Sequence, residues 1–443
     1  MTLLAGASAV SLTIIMFLFL LVFVVLGIPI GFSMFFTVSI VGVLTLGKTA
    51  FSLIFSASFA QMSSYSMLAV PLFVFMGNMI QTTGIADMML DSLNVYIGHK
   101  KGGLLVVVII IGTVLAACIG VIAASVTLLT LVTLPKMMEK KYDKSLATGT
   151  ICAAGSLGIL IPPSVLLVMY GPLAGISVGQ LFTSAFGIGF VLALFYIIYV
   201  VIRTIINPKL APTSEKVVMP AKKKLGLLLK SFVPPALVIL AVLGSIMFGI
   251  ATPSEAAGVG ALTTILLAVF YRKFTWKNFM SALKGTALNF GMIMMISMGA
   301  KCFTNLFIRL GCSNVIISMF LSLGNRWLIF FVIMVIVFIL GMLIDWLGII
   351  LVLVPIVTPL AKELGFDTLW FAMMIIVNLQ MSFITPPFAY AIFFLKGTAD
   401  PQYQIEDKHI IKGVIPFVCI IVFTLVLSCF VPGLLTWLPS ALI

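Results

Sequence analysis

The sequence carries little charge, and most of that charge has one sign. Of 443 residues only 8% are charged, with 25 Lys and Arg against 12 Asp and Glu. A soluble globular chain carries about 25% charged residues, so a surface this poor in charge would not stay in water. Soluble enzymes, nucleic-acid-binding proteins and secreted disulfide scaffolds are therefore excluded, and the chain is expected to lie in a lipid bilayer.

Histidine and paired cysteine are also scarce. The two histidines, His99 and His409, each stand beside lysine in a polar segment, and the six cysteines form no Cys-x-x-Cys pair. No metal site or catalytic base built on histidine or cysteine is expected, and the cysteines are expected to pack as small apolar residues.

Apolar helix is what the chain has in abundance, since 62% of its residues are hydrophobic. A spanning helix needs about 20 apolar residues. Runs of that length predict ten spans, at about 11–28, 30–46, 65–82, 146–171, 180–202, 231–250, 254–271, 286–307, 368–395 and 413–435. Two further apolar stretches, about 102–135 and 327–361, are too long for one span and too short for two. We expect each to form a re-entrant hairpin.

The positive charge is unevenly distributed along the chain. With ten spans, two hairpins and an external N-terminus, 20 of the 25 Lys and Arg fall on one side of the membrane. They lie at 99–101, 136–144, 203–230, 272–284 and 396–412. Lysine and arginine accumulate on the cytoplasmic side, so the charge indicates topology rather than an acidic partner.

The two halves of the sequence are related by a constant offset of 224 residues. With this offset Pro135 matches Pro359, Asp143 matches Asp367, and the pair Pro162-Pro163 matches Pro386-Pro387. Five spans and one hairpin in each half would invert the second half relative to the first. We therefore predict an all-α polytopic protein of two inverted-topology repeats, an architecture typical of secondary transporters. The repeats are 1–206 (hairpin 102–135, broken helix 146–171) and 231–443 (hairpin 327–361, broken helix 368–395), joined by a basic cytoplasmic linker at 207–230.

The double prolines are the sharpest local features. Proline removes a backbone donor and clashes with the preceding helical turn, so two in succession unwind a helix inside the membrane. The freed carbonyl groups must then bind protein, water or a cation. Asp345, a carboxylate inside an apolar stretch, is expected to be functional as a cation ligand, a proton carrier or a partner of Lys301. Asn378 and Ser382 share a helix face and are expected to line a cavity, and Ser164 is a polar candidate in the first half.

Four stretches carry a resemblance to a known family: Leu157–Ser164, Asn378–Pro387, Phe393–Gly397 and Thr252–Ala257. Over essentially its whole length the chain resembles the large membrane subunit of the tripartite ATP-independent periplasmic (TRAP) transporters. The resemblance implies an elevator mechanism, in which a domain of hairpins and broken helices slides against a scaffold of the other helices.

The resemblance also implies the partners and the energy source. These are a small four-helix membrane subunit, a periplasmic binding protein that delivers a small organic acid, and Na⁺ as the coupling ion for symport across the inner (plasma) membrane of a bacterial or archaeal cell. No enzyme activity and no other cofactor are implied. Sodium ligands would lie at Gly158, Ile161 and Pro163 and, by the internal repeat, at Ser382, Thr385 and Pro387, with Asp345 close by.

Two alternatives stay open. The chain could be an ion-coupled carboxylate carrier that works without a binding protein, or its uptake could be coupled to a proton carried by Asp345. An intramembrane aspartyl protease is excluded because Asp143 lies in a lysine-rich loop and no Gly-x-Gly-Asp motif contains Asp345.

Overall fold

A computed structural model describes residue 4 and residues 6–213, 219–387 and 389–442, without the side chain of Leu442. Every regular element in these ranges is helical. The helices of the first half are α1 (Ala9–Val25), α2 (Ile30–Leu46), α3 (Thr49–Met62), α4 (Ser66–Gln81), α5 (Ile85–Ile97), α6 (Gly103–Ile119), α7 (Ile122–Glu139), α8 (Lys144–Ser156), α9 (Val165–Ala174) and α10 (Val178–Ile206).

The second half continues with eleven helices. They are α11 (Ala221–Ile239), α12 (Ser245–Met247), α13 (Pro253–Phe270), α14 (Trp276–Arg309), α15 (Cys312–Leu321), α16 (Arg326–Leu343), α17 (Trp346–Glu363), α18 (Thr368–Ser382), α19 (Tyr390–Thr398), α20 (Asp407–Phe430) and α21 (Gly433–Leu442). Within the described ranges eight helices are long and apolar enough to cross a bilayer, or nine if α3 and α4, bent by 53°, form one span. The chain is thus an all-helical, multi-pass membrane protein.

Helix bounds in the two halves follow the offset seen in the sequence. Helix α7 begins and ends 224 residues before α17, and α8 begins 224 residues before α18. The caps match as well, because the side chain of Asp143 accepts the N–H of Leu146 at 2.8 Å and that of Asp367 accepts the N–H of Trp370 at 2.7 Å. An aspartate cap of this kind fixes where a helix starts, so equal spacing of the caps gives equal helix starts.

The two long apolar stretches form helical hairpins. The first consists of α6 and α7 and turns at Gly120 and Val121, and the second consists of α16 and α17 and turns at Ile344 and Asp345. Each hairpin precedes an interrupted helix. Helix is absent between α8 and α9 except for a short 3₁₀ turn, and between α18 and α19 in the described residues. The Pro-Pro peptide bond in each break is cis.

Some helices differ from the predicted spans. Helices α3, α5 and α15 have only 14, 13 and 10 residues, so a criterion based on spanning length did not predict them. Helix α11 starts at Ala221, inside the stretch 207–230 that was expected to be a linker, because alanine, lysine and leucine are strong helix formers. Residues 214–218 of that stretch lie outside the described residues.

The helix pair α8–α20 packs through glycine. A Cβ atom on Gly149 would overlap the backbone of Gly413, and a Cβ atom on Gly413 would overlap the carbonyl group of Ser145. The two backbones can approach this closely only because neither glycine carries a side chain. This crossing holds the first broken helix against the helix that follows the second one.

Candidate functional site

One cavity of about 390 Å³ lies where the hairpin tips meet the helix breaks. Its walls come from the first hairpin tip (119–124), the second hairpin tip (345–347), residues beside the two breaks (159, 165, 166, 383 and 390) and one face each of α4 and α14. Both halves of the chain therefore contribute to a single site.

The first hairpin tip rests on the first break through Gly120. This residue has φ +67°, and a Cβ atom on it would overlap the carbonyl oxygen of Pro163. Glycine tolerates a positive φ and leaves room for that oxygen. The next residue, Val121, is extended, and α7 begins after it. The chain thus turns sharply where the first hairpin tip lines the cavity.

The second hairpin tip carries the cavity's charge. Asp345 caps α17, and its carboxylate accepts the N–H of Leu347 at 3.2 Å. The Tyr390 hydroxyl, from the first turn of α19, lies beside this carboxylate. Among the residues that the structure describes around the cavity, Asp345 is the only one with a charged side chain, and Lys301 is not one of them. Asp345 therefore lies at the tip of the second hairpin, on the wall of the cavity.

Three helices begin at the cavity wall without a side-chain cap. The first residues of α7, α9 and α19 all belong to its wall, and none of these helices has a side-chain cap. The first N–H groups of a helix have no partner inside it, and a helix N-terminus carries about half a positive charge. These N-termini are the groups on the described wall that can attract an anion, since its one charged side chain, that of Asp345, is acidic.

The predicted residues of the first break are all buried. A Cβ atom on Gly158 would come within 2.8 Å of the Ser125 hydroxyl oxygen, and that hydroxyl is buried with no hydrogen-bond partner among the described residues. Ser164 donates its hydroxyl to the carbonyl oxygen of Ile159 at 2.6 Å, while the Ile161 side chain packs against Gly189 of α10. A buried hydroxyl without a partner, beside an unwound backbone, has the oxygen chemistry that a small cation requires.

The predicted residues of the second break do not line the cavity. Asn378 donates its side-chain N–H to the Met334 carbonyl at 2.7 Å, and Ser382 donates to the Phe338 carbonyl at 3.2 Å. The two share a helix face, as predicted, but that face packs on α16 of the second hairpin. Thr385, in the break, donates to the carbonyl oxygen of Met381 in the last turn of α18 at 2.8 Å, and Pro387 is exposed.

Two broken helices touch at equivalent positions. The Gln380 side-chain N–H donates to the Ser156 hydroxyl at 3.2 Å, and these residues are 224 positions apart. This contact lies just before each break and joins α8 to α18.

Two side-chain amides that line the cavity were not predicted from the sequence. Asn78 of α4 and Asn289 of α14 both line it, and Asn78 donates to the Thr286 hydroxyl at 3.1 Å, which joins the two helices. An amide in an apolar helix is a signal of function, and it could have identified both residues.

The chain resembles a solved transporter structure and matches a family model. The crystal structure of the Alcanivorax borkumensis YdaH transporter resembles this chain with a TM-score of 0.63 at 15% identity, covering 88% of this chain and 90% of that one. That likeness shows a shared fold. Residues 17–434 match the family described as "Tripartite ATP-independent periplasmic transporter, DctM component".

Curated relatives agree with the family match. The chain is 30% identical over 384 residues to the C4-dicarboxylate TRAP transporter large permease protein DctM of Pseudomonas aeruginosa, covering 85% of this chain and 86% of that protein. It is 27% identical over 418 residues to the sialic acid TRAP transporter large permease protein SiaM of Vibrio cholerae, covering 94% and 95%.

The chain therefore belongs to the DctM family, the large membrane subunits of TRAP transporters. The resemblance inferred from the sequence is confirmed. Membership makes the chain a component of a tripartite system for secondary solute uptake, and a transporter rather than an enzyme.

Proposed function

We propose that the cavity between the hairpin tips carries a small organic acid, or a related polar solute, across the inner membrane with Na⁺ as the coupling ion. The observation that supports this most directly is the convergence of three uncapped helix N-termini on the cavity wall. Carboxylates bind at such N-termini without a basic side chain. Three curated relatives carry the names of organic acids, namely C4-dicarboxylate, 2,3-diketo-L-gulonate and sialic acid.

The proposed transport cycle is an elevator built on an inverted repeat. The hairpins and broken helices would form the moving domain, and the remaining helices would form the scaffold. The equal offset of the helix bounds and the Ser156–Gln380 contact support two repeats related by a two-fold axis. An odd number of crossings in each repeat would invert the second repeat relative to the first and place the two hairpins on opposite sides of the membrane.

Two sodium positions are proposed. The first would use carbonyl groups of Gly158, Ile161 and Pro163, and the partnerless Ser125 hydroxyl supports an additional oxygen ligand there. The second would use Ser382, Thr385 and Pro387, close to Asp345. A cation bound near Asp345 would neutralise part of the charge of that carboxylate and so lower the cost of bringing an anionic solute into the cavity that Asp345 lines.

The proposed partners are a small four-helix membrane subunit and a periplasmic binding protein that delivers the solute. A second coupling mechanism is proton transfer through Asp345. It is favoured by one observation, that this carboxylate is the only charged side chain on the described wall of the cavity. The two mechanisms differ in whether the sodium gradient or the pH gradient drives uptake.

The test is uptake by proteoliposomes that contain this chain, the small subunit and the binding protein. Labelled organic acids are offered with an inward Na⁺ gradient, with that gradient collapsed, and with a pH gradient alone. Sodium-dependent uptake is expected. Uptake that follows pH and ignores Na⁺ would assign coupling to a proton, and no gradient-dependent uptake of any organic acid would refute the proposal.

Two variants with matched controls locate the coupling. Asp345→Asn removes the charge but keeps an equally good helix cap, so it should fold and lose coupled uptake. Asp367→Asn changes the same kind of cap away from the cavity and should retain uptake. Thr385→Ala should weaken sodium dependence, whereas Thr398→Ala, which removes a hydroxyl with the same bond to a carbonyl four residues back, should leave it unchanged.

A further inference from the structure

A second pocket, of about 630 Å³, lies where the start of α5, the helix α11 and the connection between α13 and α14 meet. We call it the basic pocket, because its wall contains Lys230, Arg272 and Lys273 and one acidic residue, Asp87. None of the three cations has an ion-pair partner in the described part of the chain. The pocket therefore has an excess of positive charge.

The segments around the basic pocket are tied together. The Tyr271 hydroxyl donates to the Lys230 carbonyl oxygen at 2.5 Å. The next residue, Ser231, donates to the Met88 carbonyl oxygen of α5 at 3.1 Å. These bonds join α5, α11 and the end of α13, so the three cations come from connected segments and do not lie on independent loops.

Arg272 occupies a backbone position that favours glycine. Its φ is +56°, and α13 ends with a pair of bonds in which Arg272 N–H donates to Val269 and Lys273 N–H donates to Ala268, both at 2.9 Å. Glycine is the common residue at the left-handed position of such a helix end. Arg272 thus ends α13 at the wall of the basic pocket, where its side chain adds to the positive charge.

An exposed apolar face of α13 leads to the basic pocket. It consists of Leu262, Leu266, Val269 and Phe270, all exposed, and Phe270 itself forms part of the pocket wall. Residues at this spacing lie on one side of a helix. The cations at one end of this face match the anionic head group of a phospholipid, and the continuous apolar face beside them matches its acyl chains.

We propose that the basic pocket binds the phosphate head group of one anionic phospholipid, whose acyl chains lie along the apolar face of α13. Lysine and arginine bind phosphate through charge-assisted hydrogen bonds, and basic pockets between transmembrane helices bind anionic head groups. A free phosphate would leave the apolar face uncovered, so the lipid is the better match. The segments 203–230 and 272–284, predicted to be cytoplasmic, supply all three cations, which places the lipid in the cytoplasmic leaflet.

The experiment measures phosphatidylglycerol binding to the full chain in mild detergent by native mass spectrometry, with phosphatidylcholine as the competitor. Each neutralised cation should weaken binding about fivefold, and the triple variant Lys230→Gln/Arg272→Gln/Lys273→Gln about 100-fold. The matched control Lys222→Gln/Lys223→Gln/Lys224→Gln removes the same charge from α11 outside the pocket and should leave binding nearly unchanged. Equal loss in the two triple variants would overturn the proposal, because it would indicate general attraction to basic charge.

A further variant separates binding from folding. Arg272→Gly removes the charge but introduces the residue preferred at this positive φ, so it should lose about fivefold in phosphatidylglycerol affinity without a lower unfolding temperature. Unchanged affinity in Arg272→Gly would contradict the role of its side chain. If inorganic phosphate or glycerol phosphate displaced phosphatidylglycerol at equal concentration, the ligand of the basic pocket would be a soluble anion, and the proposal of a lipid ligand would be overturned.

Discussion

Gly120→Ala tests whether the first hairpin tip must rest on the first break. Gly120 has φ +67°, and an added Cβ atom would overlap the Pro163 carbonyl oxygen. Gly175 provides a matched control in the same half, because its φ is +65° and nothing lies within 4 Å of the position of its Cβ atom. The two substitutions share the backbone penalty and differ in the contact.

The magnitudes follow from these two parts. A left-handed conformation costs a residue with a Cβ atom about 1–2 kcal/mol, and this part applies equally to Gly120→Ala and Gly175→Ala. Overpacking adds about 1–3 kcal/mol where the neighbour cannot move aside. Pro163 is such a neighbour, because the contact is with its backbone. We expect Gly120→Ala to destabilise the protein by about 2–5 kcal/mol in total and Gly175→Ala by only the backbone part.

The assay is unfolding of the full chain in mixed micelles with increasing denaturing detergent, together with uptake in proteoliposomes. Gly120→Ala should lose uptake, because moving the tip changes the cavity wall and the carbonyl groups at the break. Gly175→Ala should keep most of it. Equal loss of unfolding free energy in the two variants would refute the reasoning, since the contact between tip and break would then contribute nothing.

Three further predictions concern other contacts. Gly149→Ala should lower the free energy of unfolding by about 1–3 kcal/mol, because its Cβ atom would meet the backbone of α20. The control Gly226→Ala has open space around it and should be neutral or stabilising by up to about 1 kcal/mol. Equal effects of the two substitutions would contradict the close crossing of α8 and α20. Asn378→Ala should cost about 0.5–1.5 kcal/mol, measured in the same way, because it removes the side-chain hydrogen bond to the half-buried Met334 carbonyl group of α16, and an unchanged stability would exclude that bond. Lys396→Ala breaks an exposed ion pair with Asp407 and should cost less than about 1 kcal/mol; a larger loss would show that the pair is shielded from solvent.

The sequence was most informative where local chemistry sets the structure. The double prolines that follow the two hairpins interrupt their helices, so both breaks could be predicted, whereas Pro234-Pro235 lies inside α11 without interrupting it. The aspartate caps at Asp143 and Asp367 fix helix starts from within four residues, and both appear where the repeat places them. Short helices such as α3 and α5 could not be predicted in this way, because they are shorter than a span and are stabilised by their neighbours.

In the candidate site, the sequence predicted which residues share a helix face but not which helix that face contacts. Asn378 and Ser382 share a face because they are four residues apart on a helix, and that much follows from periodicity. Which element the face contacts is decided by how α18 packs, and it contacts α16. For the same reason the amides of Asn78 and Asn289 reach the cavity from helices that are distant in sequence.

By itself the sequence determined the membrane environment, the helix breaks, the hairpins, the offset between the halves and the family. The membrane environment, the breaks and the hairpins depend on composition and on residues close together in the chain. The offset follows from comparing the two halves and the family from the resemblance, so none of them needs knowledge of packing. Only the tertiary structure decided which N-termini, amides and carboxylate surround one cavity, and which cations from separate segments form the basic pocket. Such convergence depends on helix packing between residues that are far apart in the chain, and a linear pattern does not contain it.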